Sequence, residues 1–326
     1  MVDGYLGIDV AKDTLEACLR LPTGKYKHRR FPNTAAGHQA LLAWLHQWAA
    51  TQVHACLEAT GAYGQAVAHF LHDHGQTVSI LHPAVIAAYA RSRFRRAKTD
   101  RVDAKLLADY GEKEQPAPWT PAAVELRELQ ALLRRREALL EMRQMEQNRL
   151  VATTHPEPVQ HSLEAHLEEL AAALTTLEQA IRDHVDRHPG LKQQEALLCS
   201  IPGIGETTAV WLLAELGDVK RFRCARQVAA FAGLTPAKRE SGLPPHPPER
   251  LCKIGSGRLR KALYFPALSA LRYNPVVKAF GARLLGKGKH KMVVVGAAMS
   301  KLLQLAYGVL KSGEKFSVER ALGSAR

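Results

Sequence analysis

Four carboxylates stand out by where they fall along the chain. Asp9 lies in the apolar run "GYLGIDV" (4–10), next to its end, and Glu58 lies near the end of "VHACLEAT". Asp100 and Asp103 open "DRVDAKLLADY", which carries helical spacing. Residues three apart share a helix face, so these two side chains point the same way. Taken alone, such a pair has two accounts: solvated helix-start acids favoured by the macrodipole, or ligands of a cation. Asp9 and Glu58 widen the choice, because both stand where a strand runs out of hydrophobic core, the edge at which α/β sheets present their sites. A helix lying across that edge would bring four carboxylates together, and their repulsion would call for cations. Hard oxygen donors select Mg²⁺ or Mn²⁺, and paired divalent ions held by carboxylates activate phosphodiester chemistry.

The elements needed to position these acids can be read from periodicity. Residues 4–10 form a short, buried strand, and "LEACLRL" and "YKHRRF" flank the turn "PTGK", which predicts a hairpin continuing from it. In "TAAGHQALLAWLHQWAA" the helical period sets Leu41, Leu42, Leu45 and Trp48 on one side. A strand "VHACLEAT", a helix "GAYGQAVAHFLHDHG", a strand "TVSILHP" and helices over about 84–96 and 100–113 follow. A three-strand meander followed by alternating strands and helices predicts a mixed α/β sheet.

"EQPAPWTP" (114–121) is a Pro-rich break that marks a boundary. Beyond it, 122–150 is helical, Leu- and Arg-rich, with a seam interrupted by Arg136 and Arg143. In the next helix Leu163, Leu167, Leu170, Leu174, Leu177 and Ile181 alternate gaps of four and three, the spacing of a coiled-coil seam. Packing within one chain and contact between two chains satisfy that pattern equally. "HPEP" between the two predicts a helical hairpin, and "RHPG" (187–190) closes this arm. The expected division is 1–115, 116–190 and a basic, Gly-rich region over 191–326.

The charge balance narrows the partner. Over 326 residues, 45 Lys and Arg against 31 Asp and Glu leave +14, which suggests a polyanion, either nucleic acid or an anionic membrane. The N-terminus has no basic segment followed by an apolar run, and the apolar stretches read as broken by charge before a bilayer-spanning length, so no membrane partner is expected. Five scattered cysteines without a CxxC pair predict reduced thiols and a cytoplasmic setting. His72 and His74 form a close pair at a helix end and read as surface residues.

Two segments have the character of phosphate contacts. "LLCSIPGIGETTAVWLLAELGD" (197–218) is helix, Gly-containing turn, helix, similar to a helix-hairpin-helix. There Gly203 and Gly205 would bring backbone N–H groups to a phosphate; an ordinary αα-hairpin is the alternative. "ERLCKIGSGRLRKALY" groups Arg250, Lys253, Arg258, Arg260 and Lys261 around a Gly-Ser-Gly turn, and Lys287, Lys289 and Lys291 follow in "GKGKHKM". Either a backbone-tracking surface or a solvated basic face accounts for them. "GIDVAKDT" also resembles the first phosphate loop of the sugar-kinase and actin fold, but the second glycine-rich loop that fold requires is not found.

"GIDVAK", "LEATGAY", "KTDRVDA", "IPGIGETTA", "FAGLTPAKRESG", "KIGSGRLRKALY" and "YGVLKSG" occur in an order that resembles the DEDD-type transposases of insertion sequence family 110, over nearly the whole chain. The resemblance implies an α/β RNase H-like (RuvC-like) N-terminal domain, an α-helical coiled-coil arm, and a mainly α-helical C-terminal transposase domain. It implies that Asp9, Glu58, Asp100 and Asp103 bind Mg²⁺, that Ser241 is the nucleophile, and that a structured bridge RNA pairs with target and donor DNA. It also implies dimers that join into a tetramer, with composite sites. Lys98 and Arg101 beside the acids, and Lys238 and Arg239 before the serine, are then nucleic-acid contacts. Read from the residues alone, "SG" in a loop is a turn more often than a nucleophile. A serine hydroxyl needs activation, and no local His or Asp supplies it. Three functions stand at this point: an RNA-guided recombinase acting through phosphoserine, a metal-dependent junction nuclease using water, and a non-enzymatic nucleic-acid-binding protein.

Overall fold

The apolar run at the N-terminus becomes the central strand of a sheet. In the computed structural model, which describes residues 2–59, 61, 63–94, 99–237 and 250–323, β1 (Gly4–Val10), β2 (Thr14–Arg20) and β3 (Tyr26–Pro32) form the antiparallel meander. After helix α1 (Ala35–Gln47), β4 (Val53–Glu58) joins β1 in parallel; after α2 (Gln65–Asp73), β5 (Thr77–Leu81) joins β4 in parallel. The order is β3-β2-β1-β4-β5, the mixed sheet that the pattern predicts.

Strand alternation sends the two faces to different cores. Leu6, Ile8, Leu15, Ala17 and Leu19 pack with Leu41, Trp44 and Leu45 of α1 and with Val67 and Leu71 of α2. The opposite face is covered by α4 (Asp100–Glu114): Cys18 meets Ala104 and Ala108, and Cys56 meets Leu106 and Leu107. Contact there is close at Gly7, where a side-chain carbon would lie 2.5 Å from the Ala108 nitrogen and 2.9 Å from Leu107 Cβ. Helix α3 (Pro83–Ser92) is followed by a turn at Arg93 and Phe94, and the last two positions of the expected helix lie outside the described residues.

The backbone divides into two compact units, Met1–Pro121 and Ala122–Arg326. The first includes the Pro-rich segment as far as Pro121: Trp119 donates its N–H to the Val78 carbonyl at 2.6 Å, and Ser79 Oγ donates to Ala117 O at 2.9 Å.

The second unit begins with the long helices α5 (Val124–Ala152) and α6 (Glu157–Arg187). Leu139 packs with Leu170 and Leu174, and Leu129 and Leu133 with Ile181 and Val185, so the two run antiparallel. The heptad-like seam of α6 is therefore covered in part by its own chain. Arg136, which interrupts the α5 seam, meets Glu178 at 2.6 Å. Then come α7 (Pro189–Cys199), α8 (Glu206–Leu216), α9 (Ala225–Phe231), the two-stranded pair β6 (Pro236–Ala237) and β7 (Arg250–Leu251), α10 (Gly257–Tyr273), α11 (Pro275–Gly286), α12 (Lys291–Ser312) and α13 (Val318–Gly323). Among the described residues α12, with mean hydropathy 1.6 in its best window, is long and apolar enough to cross a membrane. This corrects the expectation that every apolar stretch is too broken to do so. It is the core helix of this unit, with Ala298, Leu302, Leu303 and Ala306 fully buried.

Candidate active site

The four acids come from three elements of the first unit. Asp9 is the next-to-last residue of β1, and Glu58 is the last of β4. The parallel pairing of Ile8 with Leu57 makes them neighbours at the same end of adjacent strands. Each lies two residues beyond a residue facing α4, Gly7 and Cys56, so pleating turns both carboxylates to the α4 side. Asp100 and Asp103 sit in the first turn of α4, whose N-cap Thr99 accepts from the Val102 N–H at 3.3 Å. That turn favours negative charge. Close packing at Gly7 is what brings it to the strand ends.

The electrostatic result is concentrated on Asp9. Burial first, then the charges of Asp100, Asp103 and Glu58, push its carboxyl up to about 6 from an ordinary 3.8; the Val10 N–H works the other way. All three other acids thus bear on one half-buried carboxylate. Asp100 itself is exposed, and among the described residues no three His, Cys, Asp or Glu side chains already form a metal-holding group. The donor set and its mutual repulsion suit a hard divalent cation; the carboxylates are near enough to feel one another without being drawn into a closed cage.

Two residues of this corner are absent from the sequence reading. Glu16 lies directly across from Asp9 in the β1–β2 register, and Arg30 directly across from Glu16 in the β2–β3 register. The Arg30 guanidinium donates to Glu16 at 3.0 Å and reaches Asp100 at 3.5 Å. A protein cation therefore already touches two carboxylates at the rim. The available signal was the parity of the hairpin, which requires its register to be known.

The remaining expected site residues fall as follows. Arg101 is exposed on α4 beside the acids. Lys98, Lys238, Arg239 and Ser241 lie outside the described residues. Gly203 has φ +104, and a side chain there would come within 2.8 Å of Ala270 Cβ, so it admits the close approach of α10. Gly205, the N-cap of α8, has open space around it, but Glu206 places a carboxylate in that first turn.

The basic group at α10 is largely engaged within the second unit. Lys261 binds Glu137 at 2.7 Å and Glu141 at 3.1 Å, and Arg258 lies 3.7 Å from Glu137. Arg260 donates to the carbonyls of Ala232 and Gly255 at 2.9 and 3.2 Å. Lys253 adopts φ +58 in the turn before α10. As phosphate ligands, Lys261 and Arg258 would first have to leave carboxylates. His72 and His74, read as surface residues, meet Asp73 and the Phe70 carbonyl.

Comparison with known proteins agrees over most of the chain. Residues 6–154 match a family model described as a transposase, and 195–282 match one described as the transposase IS116/IS110/IS902 family. The pilin gene-inverting proteins of Moraxella bovis and Moraxella lacunata are each 35% identical over 316 residues, 96% of this chain and 97% of theirs. The transposase for insertion sequence element IS1111A of Coxiella burnetii is 24% identical over 73% of this chain and 70% of its own length. Among solved structures, Thermus thermophilus RuvC aligns with 36% of this chain and 99% of its own at 14% identity and TM-score 0.27. With both family models matched in order and a relative of better than 30% identity spanned almost end to end, the chain belongs to the IS110 family of transposases, enzymes of DNA recombination.

Proposed function

We propose that this transposase is an RNA-guided recombinase of a mobile element, cutting and rejoining DNA through a serine ester beside an acidic, divalent-metal site. The observation that carries the proposal is the placing of Asp9, Glu58 and the first turn of α4 at one end of the sheet, where burial first, and then the charges of Asp100, Asp103 and Glu58, push the Asp9 carboxyl up to about 6. Carboxylates so arranged are costly unless a cation joins them. Asp9, Glu58, Asp100 and Asp103 would hold Mg²⁺, or Mn²⁺, which when bound neutralises charge at the reacting phosphate. The sheet order, an antiparallel meander with two parallel strands beyond it, supports an RNase H-like (RuvC-like) fold for the domain proposed over 1–115.

Ser241 is the proposed nucleophile. Its Oγ forms a bond to phosphorus as the bond to one sugar oxygen breaks; the serine proton passes to a base, and the departing oxygen is protonated. The phosphoserine ester keeps the bond energy, so the reverse attack by a sugar hydroxyl rejoins a strand without ATP. Lys98, Arg101, Lys238 and Arg239 are the proposed phosphate contacts, with Gly203, Gly205, Lys253, Arg258, Arg260 and Lys261 as further nucleic-acid contacts. The domain over 116–190 is proposed as a coiled-coil arm joining subunits into dimers and a tetramer, and that over 191–326 as a helix-hairpin-helix and serine domain. Relatives named for gene inversion support a cut-and-rejoin reaction, since inversion needs both.

The test is a covalent protein–DNA adduct on a cognate substrate with Mg²⁺. Ser241→Ala should abolish it, and an undiminished adduct removes the serine from the mechanism. RNA co-purifying with the protein should match sequence flanking the reading frame; purification free of such RNA, with full activity, removes the guide.

A further inference from the structure

Beside the acids, the sheet edge and the α4 face next to it carry cations besides Arg101 that the proposed chemistry does not use. Among the described residues β3 is an edge strand, paired with β2 alone. Register puts Tyr26, His28 and Arg30 opposite Arg20, Cys18 and Glu16, on the face that α4 covers. Along that side α4 presents Arg101 and Lys105, four residues apart and so neighbours on one helix face. Lys105 Nζ lies 4.1 Å from the centre of the Tyr26 ring. Burial, then the charge of Arg101 and more weakly that of Lys105, keeps His28 below its usual range despite Glu16. Arg30 closes the row, touching Glu16 and Asp100.

Lys105 and Arg101 lie along the seam between β3 and α4, with Asp109 beyond them on Tyr26; Arg30 stands at the other end, where it reaches Asp100. The α4 wall is fixed in place: Tyr26 donates to Asp109 at 2.6 Å, and Arg20 meets Glu112 at 2.8 Å. From Tyr26 to Arg30 the strand advances about 14 Å, the rise of roughly four nucleotides of a duplex strand.

We propose that the seam between β3 and α4 seats the DNA strand entering the acidic site, with Arg101 and Lys105 on successive phosphates and Arg30 as the junction to the carboxylates. The proposal rests on the DNA-cutting function above. A polyanion fits the basic stretch, and its phosphates would compete with Glu16 and Asp100 for Arg30, releasing both acids as the strand arrives. Phosphate contacts of this kind align the strand without reading its sequence. DNA is the chosen occupant because the row leads directly into the corner proposed to cut DNA.

The experiment uses the full chain in chelator, so that binding is measured without cleavage. A fluorescent DNA duplex with a single-stranded tail, and RNA of the same sequence, are titrated at several salt concentrations. Arg101→Gln with Lys105→Gln should lower the DNA salt slope by about 1.4 to 1.8, from about 0.7 to 0.9 per lost phosphate contact. Arg101→Lys with Lys105→Arg should restore it. Lys27→Gln with Arg29→Gln, equal in charge but on the opposite face of β3, should leave it unchanged. Equal losses from the two glutamine pairs, no loss from either, or a loss confined to RNA overturns the proposal. Matching near-UV circular dichroism separates a binding defect from misfolding. A Ser241-dependent adduct alongside an unchanged salt slope would remove the strand seat and leave the chemistry standing; the reverse pair of results would remove the chemistry alone.

Discussion

Gly7→Ala isolates the contact that assembles the acidic corner. The added carbon would stand 2.5 Å from the Ala108 nitrogen, where ordinary contact begins near 3.4 Å, and it also meets the Ala104 carbonyl. These are backbone atoms, so no rotamer relieves the overlap, and α4 must withdraw by about 1 Å or the strand must bend. Overpacking of this kind costs about 1–3 kcal/mol. With a urea dependence of about 1.5 kcal/mol/M, the upper end lowers the unfolding midpoint by about 2 M. Three of the four tryptophans, Trp44, Trp48 and Trp119, lie in the first unit, so fluorescence-monitored urea unfolding of the full chain reports on it. Gly64→Ala is the matched control, since its added carbon meets only Val10 Cγ2 at 3.8 Å; a change within about 0.5 kcal/mol is expected there. As α4 recedes, Asp100 and Asp103 move off Asp9, and its titration, followed by carbon NMR, should drop from about 6 toward 3.8. A variant with parental midpoint and unchanged Asp9 titration refutes the close approach of β1 and α4.

Other perturbations follow from the same contacts. Because the Asp9 pKa is raised on folding, the native state binds the extra proton between about 3.8 and 6, and stability from this group falls as pH rises through that window. Without divalent ions, Asp9→Asn should therefore melt higher than the parent above about pH 6, with no difference below about pH 4. Added Mg²⁺ should raise the melting temperature of the parent and leave the variant nearly unmoved; equal shifts would place the ion elsewhere. Asn274 is fully buried, accepts from the Val276 and Val277 N–H groups and donates to the Pro202 carbonyl at 3.2 Å. Asn274→Ala should cost about 2 kcal/mol in the second unit by denaturant titration. Glu137→Gln with Glu141→Gln frees Lys261, and should tighten DNA binding and steepen its salt slope by about 1; unchanged binding would mean that Lys261 does not reach phosphate.

Local pattern carried much of this fold. The meander, the parallel strands after it, a helix starting at Asp100 and the long helical hairpin all follow from period, turn residues and Pro breaks. What pattern could not supply is register. A slip of one residue in "PTGK" would turn Arg30 to the α1 side and away from Glu16, so neither the Glu16–Arg30 pair nor its reach to Asp100 was legible. Gly203 shows a similar limit: the turn alone does not reveal that Ala270, far along the chain, packs against this glycine and gives it a structural role as well. Lys261 read as an open cation because Glu137 and Glu141, which hold it, lie more than a hundred residues earlier. In the candidate site, the acids were picked out by their positions at element ends. How strongly they press on Asp9 depends on the depth of helix packing, which spacing does not encode.

The central strand is made before its partners, and two of them arrive late. β1 can pair with β2 as soon as both leave the ribosome, but β4 follows more than forty residues later and α4 nearly a hundred. Until then the Gly7–Cys18–Cys56 face has no cover, and closing it requires a contact between distant parts of the chain, the kind that forms slowly. The α5–α6 hairpin, by contrast, joins neighbours in sequence. A nascent chain halted before residue 100 would carry an open apolar sheet face, a natural substrate for chaperones, and would lack two of the four acids. The polypeptide thus cannot acquire a complete charged corner before the helix that shields its sheet has docked.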